Sequence, residues 1–160
     1  MENTEIERKF LIDKDTFEKE LTSLNFEKIQ IKQGYMFDTN KGVVRIRQAG
    51  TKHFLTIKSP VKGITRREVE MEVSKEQGEI LLNEFCDAFI EKERYVFSYV
   101  DGEIWEVDVF KGKLSGLIIA EIELDSEERE FYKPEWLDKE VSSDKKYFNN
   151  NLLKRIIEEL

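Results

Sequence analysis

Glu5-Ile6-Glu7-Arg8-Lys9-Phe10 lies near the start of a chain of 160 residues. In a β-strand the side-chain period is two, so Glu5, Glu7 and Lys9 would share one face of the strand. Two carboxylates can hold a hard divalent cation and an ammonium group can neutralise a bound phosphate, and phosphoryl chemistry needs both. The same pattern is also typical of the wet face of a half-buried strand, so the remaining sequence has to decide between the two interpretations.

Charged side chains recur at every second position in nearly every strand that the sequence predicts. Glu, Lys and Asp are depleted in ordinary strands, so a long series of charged pairs is unfavourable by strand propensity and indicates a specific role for the charges. Like charges two residues apart are tolerated best where an opposite charge, a metal or a polyanion lies between them. The basic pairs are Arg45 with Arg47 and Lys92 with Arg94, and the acidic pairs are Glu68 with Glu70 and Glu121 with Glu123.

Apolar alternation predicts eight strands, near residues 4–12, 28–38, 43–49, 52–59, 65–73, 91–100, 103–110 and 117–125. Short connections with turn residues, above all Asp101-Gly102, predict a mainly antiparallel sheet. Three helices are predicted as well. One follows Asp15, a second follows Ser74, whose Gln77 completes a capping box, and continues to Phe89, and a third covers residues 152–160.

A sheet of this kind can lie open with one wet face, or close into a barrel whose polar lumen holds one ligand. Closure would enclose several carboxylates and seven basic residues, namely Lys9, Arg45, Arg47, Lys58, Arg66, Lys92 and Arg94. Enclosing them is prohibitive unless they pair with one another, with metal ions or with a polyanion. The helices favour closure, because they need an outward apolar face to pack against. We therefore expect an α+β protein, a closed eight-stranded antiparallel β-barrel (tunnel) with a charged interior and helices packed outside, forming one domain over residues 1–160.

Composition limits the classes of function. The net charge of −8 argues against nonspecific binding to nucleic acid or to anionic membranes, because both need a basic surface. The sequence contains neither an apolar run of the ~20 residues that a membrane span needs nor a signal-sequence pattern. A lone Cys86 excludes an intramolecular disulfide, and we interpret it as a small buried hydrophobe. We expect a soluble, cytoplasmic protein. The only histidine, His53, shares the parity of Leu55 and is predicted to face outward.

Taken in order, the charged motifs resemble those of the CYTH or triphosphate tunnel metalloenzyme family. The motifs that carry the resemblance are Glu5-x-Glu7-x-Lys9, Arg45-x-Arg47, Lys58, Glu68-x-Glu70, Lys92-x-Arg94, Asp108 and Glu121-x-Glu123. The resemblance implies a tunnel that binds a triphosphate together with Mg²⁺ or Mn²⁺. Gln33-Gly34-Tyr35 and Asp144-Lys145-Lys146-Tyr147 look most like the short bacterial inorganic triphosphatases.

The resemblance also implies a role for each matched residue. Phosphate oxygens would be bound by Lys9, Arg45, Arg47, Lys58, Lys92 and Arg94. One or two divalent ions would be held by Glu5, Glu7, Glu121 and Glu123. Glu68, Glu70 and Asp108 would complete the substrate site by orienting the basic residues or by joining the metal shell. Lys146 would reach one tunnel mouth and join Glu5, Glu7 and Lys9 in the catalytic set.

Three functions remain open from the sequence. The first is metal-dependent hydrolysis of tripolyphosphate, and the second is an adenylate cyclase of the class IV type that converts ATP to cyclic AMP and pyrophosphate. The third is a non-catalytic polyphosphate-binding module, against which the complete set of carboxylates argues. The expected partner is a small-molecule triphosphate, either tripolyphosphate or ATP, and no nucleic acid or membrane is expected.

The apolar stripe of residues 152–160 is typical of core or of a homodimer contact. Arg66, Glu72 and Glu106 have inward parity but match the family less clearly, and we interpret them as rim salt bridges.

Overall fold

The computed structural model describes residues 3–158, and this range contains nine strands and three helices. The strands are β1 (Thr4–Ile12), β2 (Phe26–Thr39), β3 (Gly42–Ala49), β4 (Lys52–Lys58), β5 (Thr65–Val73), β6 (Ile90–Ser98), β7 (Ile104–Phe110), β8 (Ile118–Glu123) and β9 (Leu137–Glu140). The helices are α1 (Lys14–Leu21), α2 (Lys75–Phe85) and α3 (Asn149–Glu158). Short 3₁₀ turns cover Val100–Gly102, Gly112–Leu114 and Lys145–Tyr147. No helix in the described range is both long and apolar enough to cross a membrane.

The first eight strands close into an antiparallel barrel. Their order is β5-β4-β3-β2-β6-β7-β8-β1, and β1 pairs again with β5. Strand β1 makes the closure, because Thr4–Ile6 pair with β5 on one edge while Glu7–Leu11 pair with β8 on the other. The closed eight-stranded antiparallel barrel predicted from the sequence is thus confirmed, including the hairpin turn at Asp101-Gly102 between β6 and β7.

The ninth strand was not predicted. Strand β9 pairs with Phe10 and Ile12 of β1, on the edge that β5 leaves after Ile6. Its four residues are mostly polar and show no apolar alternation, so the sequence pattern carried no signal for it. The backbone of Lys9 is held beside it, since its N–H donates to Ser142 Oγ at 2.9 Å and its carbonyl accepts from the Val141 N–H at 2.8 Å. Most of the length of β1 is therefore fixed on both edges.

The larger hydrophobic core lies outside the barrel. Outward side chains of β1, β6, β7 and β8 pack against α1 and against the segment that leads to β9. The buried residues of this core are Phe10, Phe17, Phe97, Trp105, Val107, Ala120, Ile122, Leu124 and Trp136. Helix α1 begins at Lys14, two residues earlier than predicted, because the N-cap residue whose side chain accepts the Thr16 N–H is Asp13 and not Asp15.

Helix α2 packs on the outside of β3 and β4. The capping box of Ser74 and Gln77 is confirmed, but the helix ends at Phe85 rather than at Phe89. Cys86 follows as the C-cap residue and is only half-buried, which corrects its interpretation as a small buried hydrophobe. His53 faces outward as predicted and is buried beneath α2, 2 % exposed.

Helix α3 packs on a different part of the barrel from α1 and α2. Leu152 and Leu153 are buried against Ile90, Phe110 and Ile119. These three belong to the inward parity of their strands, so α3 covers one end of the barrel and not its outer wall. Of the apolar stripe predicted over residues 152–160, Leu152 and Leu153 are core, and Ile156 and Ile157 pack against that core while only partly buried. Residues 159 and 160 lie outside the described range.

We expect Gly78→Ala to destabilise the protein although alanine is the better helix former. A Cβ at Gly78 would lie 2.3 Å from Cδ2 and 2.6 Å from Cβ of His53, so α2 could not approach β4 as closely. Overpacking of this kind costs roughly 1–3 kcal/mol, which exceeds the helix-propensity gain of about 1 kcal/mol. Urea denaturation measures the change. Glu79→Ala, at the next and exposed position, is the matched control, and equal stabilities of the two variants would contradict the close packing.

Candidate active site

The inward faces of the strands enclose a cavity of ≈ 200 Å³ with charged walls. Strand alternation explains this, because each strand that sends apolar side chains to the outer core sends its intervening charged side chains to the lumen. All of the predicted site residues except Lys92, Asp108 and Lys146 line this cavity. The lining consists of Glu5, Glu7, Lys9, Tyr35, Val43, Arg45, Arg47, Lys58, Arg66, Glu68, Glu70, Arg94, Glu106, Glu121, Glu123, Phe148, Asn149 and Asn150.

Strand register sets cations opposite carboxylates around the lumen. Lys58 lies opposite Glu68, and its Nζ is 3.3 Å from Glu68 Oε2 and 2.9 Å from Glu5 Oε1. Lys9 lies opposite Glu121, with its Nζ 3.6 Å from Glu121 Oε1 and 3.4 Å from Glu7 Oε1. Each ammonium group therefore bridges two carboxylates, which offsets the cost of withdrawing these charges from water.

Behind the cavity wall, one buried carboxylate serves two cations. Asp108 is 0 % exposed and accepts hydrogen bonds from Arg94 Nε at 2.7 Å and Nη2 at 2.9 Å, while Lys92 Nζ lies 2.7 Å from it. Although burial opposes the shift, Arg94 and Lys92 hold the pKa of Asp108 well below its usual range. Burial lowers the pKa of Lys92 to about 7 against the pull of Asp108, and Arg94 and Arg47 add to the lowering. This side of the lumen carries excess positive charge.

The basic residues of β3 extend this positive region. Arg45 is 5 % exposed, and its Nη2 donates to Thr56 Oγ1 at 3.1 Å and lies 3.5 Å from Glu70 Oε2. Arg47 Nε donates to Gln33 Oε1 at 2.8 Å. Burial, together with the neighbouring Arg45 and Arg94, lowers the pKa of Arg47 to about 9. A bound polyanion would relieve this crowding of positive charge.

The other side of the lumen has the opposite imbalance. Glu7 lies directly opposite Glu123 across the β1–β8 pair. Burial, and then the carboxylates of Glu5 and Glu7, raise the pKa of Glu123. Carboxylates that face each other in this way fit a hard divalent cation, whose preferred ligands are oxygens. Within residues 3–158, however, no three acidic, histidine or cysteine side chains already form a metal-ligand cluster. Lys9 and Lys58 hold several of these carboxylates instead.

Three predicted site residues lie elsewhere. Lys92 and Asp108 are buried behind Arg94 and do not line the cavity. Lys146 lies in the turn before α3, where its side chain is 62 % exposed and its Nζ is 3.9 Å from Asp144 Oδ2. It does not line the cavity, so the structure does not bring it together with the rest of the predicted catalytic set.

Sequence reasoning also left out residues that do line the cavity. Arg66 lies opposite Glu5 at the β1–β5 closure, and Glu106 forms an ion pair with Arg94. Both have the inward parity that the sequence predicts. Glu106 forms a salt bridge as expected, whereas no carboxylate of the described residues forms one with Arg66, and both residues line the cavity. The segment 148–150 was missed altogether, because no strand pattern indicates that the start of α3 reaches the lumen.

We expect Asp108→Asn and Lys92→Met to have unequal effects on stability. Asp108→Asn leaves buried Lys92 without its carboxylate and leaves Arg94 with only Glu106 and Glu121, so it should cost about 3–5 kcal/mol. Lys92→Met removes the excess cation and leaves the bidentate Arg94–Asp108 pair, so it should change stability by about 1 kcal/mol or less, or raise it. Urea denaturation at pH 6, below the lowered pKa of Lys92, measures both. Equal losses would contradict the excess of positive charge around Asp108.

Comparison with known proteins identifies the family of this chain. The sequence model of the CYTH domain matches residues 3–157. An inorganic triphosphatase from Acetivibrio thermocellus is 39% identical over 94% of this chain and 93% of its own length, and one from Nitrosomonas europaea is 39% identical over 93% and 96%. The crystal structure of an inorganic triphosphatase matches with a TM-score of 0.65 at 35% identity, covering 93% of both chains. An adenylate cyclase candidate from Bacillus halodurans matches with a TM-score of 0.62 at 22% identity over 78% of this chain and 82% of its own, which is a likeness of fold alone. The chain belongs to the CYTH domain family.

Proposed function

We propose that this protein is a metal-dependent triphosphatase that hydrolyses inorganic tripolyphosphate to pyrophosphate and orthophosphate inside the barrel. One observation carries the proposal: the same lumen holds an excess of cations on one side and facing carboxylates on the other. A triphosphate bound together with a divalent cation would neutralise both. The two relatives that are 39% identical to this chain are inorganic triphosphatases, which supports the same activity here.

The cations suit a chain of phosphate groups. Arg45, Arg47 and Arg94 come from neighbouring parts of the wall, and a guanidinium group binds phosphate oxygens through two parallel hydrogen bonds. Lys58 and Lys9 add point charges closer to the carboxylates. These groups are already held in place by the barrel, so they can stabilise charge on the transferred phosphoryl group with little rearrangement.

The carboxylates suit Mg²⁺ or Mn²⁺. Glu5, Glu7, Glu121 and Glu123 all line the cavity and offer only oxygen ligands, and the two Glu side chains that contact Lys9 would have to exchange it in part for the metal. A bound divalent ion would neutralise phosphate charge and make an attacking water more acidic. Lys9 lies between the acidic and basic sides, where it would hold a phosphate oxygen next to the metal ligands. Phosphoryl transfer needs positioning and electrostatics above all, so no serine or cysteine nucleophile is required.

A product assay tests the proposal directly. The protein is given tripolyphosphate and ATP in parallel, with Mg²⁺, Mn²⁺ or EDTA, and orthophosphate, pyrophosphate, ADP and cyclic AMP are resolved. We expect orthophosphate and pyrophosphate from tripolyphosphate, and none with EDTA. Cyclic AMP from ATP would instead establish a cyclase, and tight binding without any product would establish a binding module.

Glu7→Gln should separate turnover from anion binding. The substitution keeps the size of the side chain but removes a proposed metal ligand, so metal-dependent turnover should fall roughly 100-fold or more, since a metal ion supplies several kcal/mol of charge stabilisation. Affinity for tripolyphosphate in EDTA should change little, because the cations remain. Glu72→Gln, on the exposed part of β5, is the control. Unchanged turnover in Glu7→Gln would rule out Glu7 as a metal ligand.

Five expectations from the sequence remain predictions. They are that the metal is Mg²⁺ or Mn²⁺, that one or two ions bind, that the protein forms a homodimer, that it is cytoplasmic, and that residues 1–160 form a single domain. Lys146 stays in the proposed catalytic set only if α3 and its preceding turn move toward the lumen when substrate binds.

A further inference from the structure

Arg47 differs from most of the other cations of the lumen. Lys9, Lys58, Arg45 and Arg94 each have a carboxylate oxygen at 3.6 Å or less. Among residues 3–158, no carboxylate lies within salt-bridge distance of Arg47. Arg66 shares this property, but it lies at the closure of the barrel with its guanidinium 5.9 Å from the Phe148 ring centre. Arg47 is therefore the cation of the inner wall whose charge the protein leaves uncompensated.

The group that holds Arg47 is neutral. Gln33 lies directly opposite Arg47 across the β2–β3 pair, and its side chain is 0 % exposed. Its Oε1 accepts the Nε–H of Arg47 at 2.8 Å, and its Nε2 lies 3.5 Å from Tyr35 Oη. Arg94 shows the alternative arrangement, in which Asp108 both orients and neutralises the guanidinium group. An amide orients Arg47 without taking its charge.

The backbone next to Gln33 is fixed by close packing. A Cβ at Gly34 would lie 2.6 Å from Cys86 Sγ and 3.2 Å from the Ala88 carbonyl oxygen. Strand β2 therefore packs directly against the residues that follow α2, which only glycine at position 34 allows. Because its neighbour in the chain cannot shift outward, the Gln33 side chain has a defined position from which to hold Arg47.

We propose that Gln33 is a positioning residue for the substrate: it holds Arg47 through Nε, which leaves both terminal amino groups and the full charge of Arg47 for a phosphate group of the triphosphate. This inference rests on the proposed function, since it names the residue that prepares one of its phosphate-binding cations. The lowered pKa of Arg47 agrees with it, because a charge that is unfavourable in the free lumen gains most from a bound anion.

Two substitutions at one position test the proposal. Gln33→Glu keeps the acceptor but adds a charge that would neutralise Arg47, and Gln33→Met removes the acceptor. Gln30→Glu, three residues earlier on β2 and exposed, adds the same charge outside the lumen and is the matched control. The readouts are the melting temperature and the dissociation constant for tripolyphosphate, measured by isothermal titration calorimetry in EDTA.

We expect Gln33→Glu to melt at a higher temperature than the wild-type protein and to bind tripolyphosphate about tenfold or more weakly, because the new ion pair competes with the substrate. Gln33→Met should bind several-fold more weakly without a gain in melting temperature, and Gln30→Glu should match the wild type. A merely structural role would lower stability and affinity together.

The outcomes separate the inference from the proposed function. Wild-type affinity in both Gln33 variants would overturn the inference and leave the proposed function standing. A wild-type protein that binds no tripolyphosphate, with or without metal, would overturn the proposed function and the inference with it. If Gln33→Glu does not fold, Gln33→Met decides, and unchanged affinity in that variant overturns the inference.

Discussion

Charges enclosed in one lumen must be neutralised by one another or by a ligand, and the rest of the structure depends on this constraint. Lys58 bridges Glu5 and Glu68, Lys9 bridges Glu7 and Glu121, and Asp108 is shared by Arg94 and Lys92. The pairs of Lys58 with Glu68, Lys9 with Glu121 and Arg94 with Asp108 join adjacent strands and need the correct register. The pair of Lys58 with Glu5 joins β4 to β1 and also needs the barrel to be closed. With its charges turned inward, the barrel has to place its cores outside, beneath α1 and α2, and at the end that α3 covers.

The pairing is incomplete in two places, and they define the site. On the basic side Arg47 is held by an amide, and Lys92 shares the single carboxylate of Asp108. On the acidic side Glu123 faces Glu7 with its pKa raised by burial and neighbouring carboxylates. Both imbalances lower the stability of the free protein, and both are relieved by the same ligand, a triphosphate with a divalent cation. The proposed site is therefore the part of the lumen in which the fold holds charged groups without neutralising them, so that a ligand can do so.

The fold could be predicted from the sequence because alternation is a local signal that each strand repeats. The same signal located most of the lumen, including Arg66 and Glu106, whose parity was correct although they were set aside. Features that depend on tertiary contacts gave no signal. Strand β9 forms from mostly polar residues because β1 offers a free edge, and residues 148–150 reach the lumen only because α3 packs on the barrel end. Lys146 was assigned to the site by resemblance alone, and its side chain is exposed beside Asp144. A sequence motif in a turn does not determine the direction of its side chains.

The most direct test is a crystal structure of the protein with Mn²⁺ and tripolyphosphate, with manganese located by its anomalous scattering. We expect manganese on carboxylates of the group Glu5, Glu7, Glu121 and Glu123, with phosphate oxygens on Arg45, Arg47 and Arg94. Tripolyphosphate bound outside the barrel, or manganese on no residue of that group, would contradict this expectation.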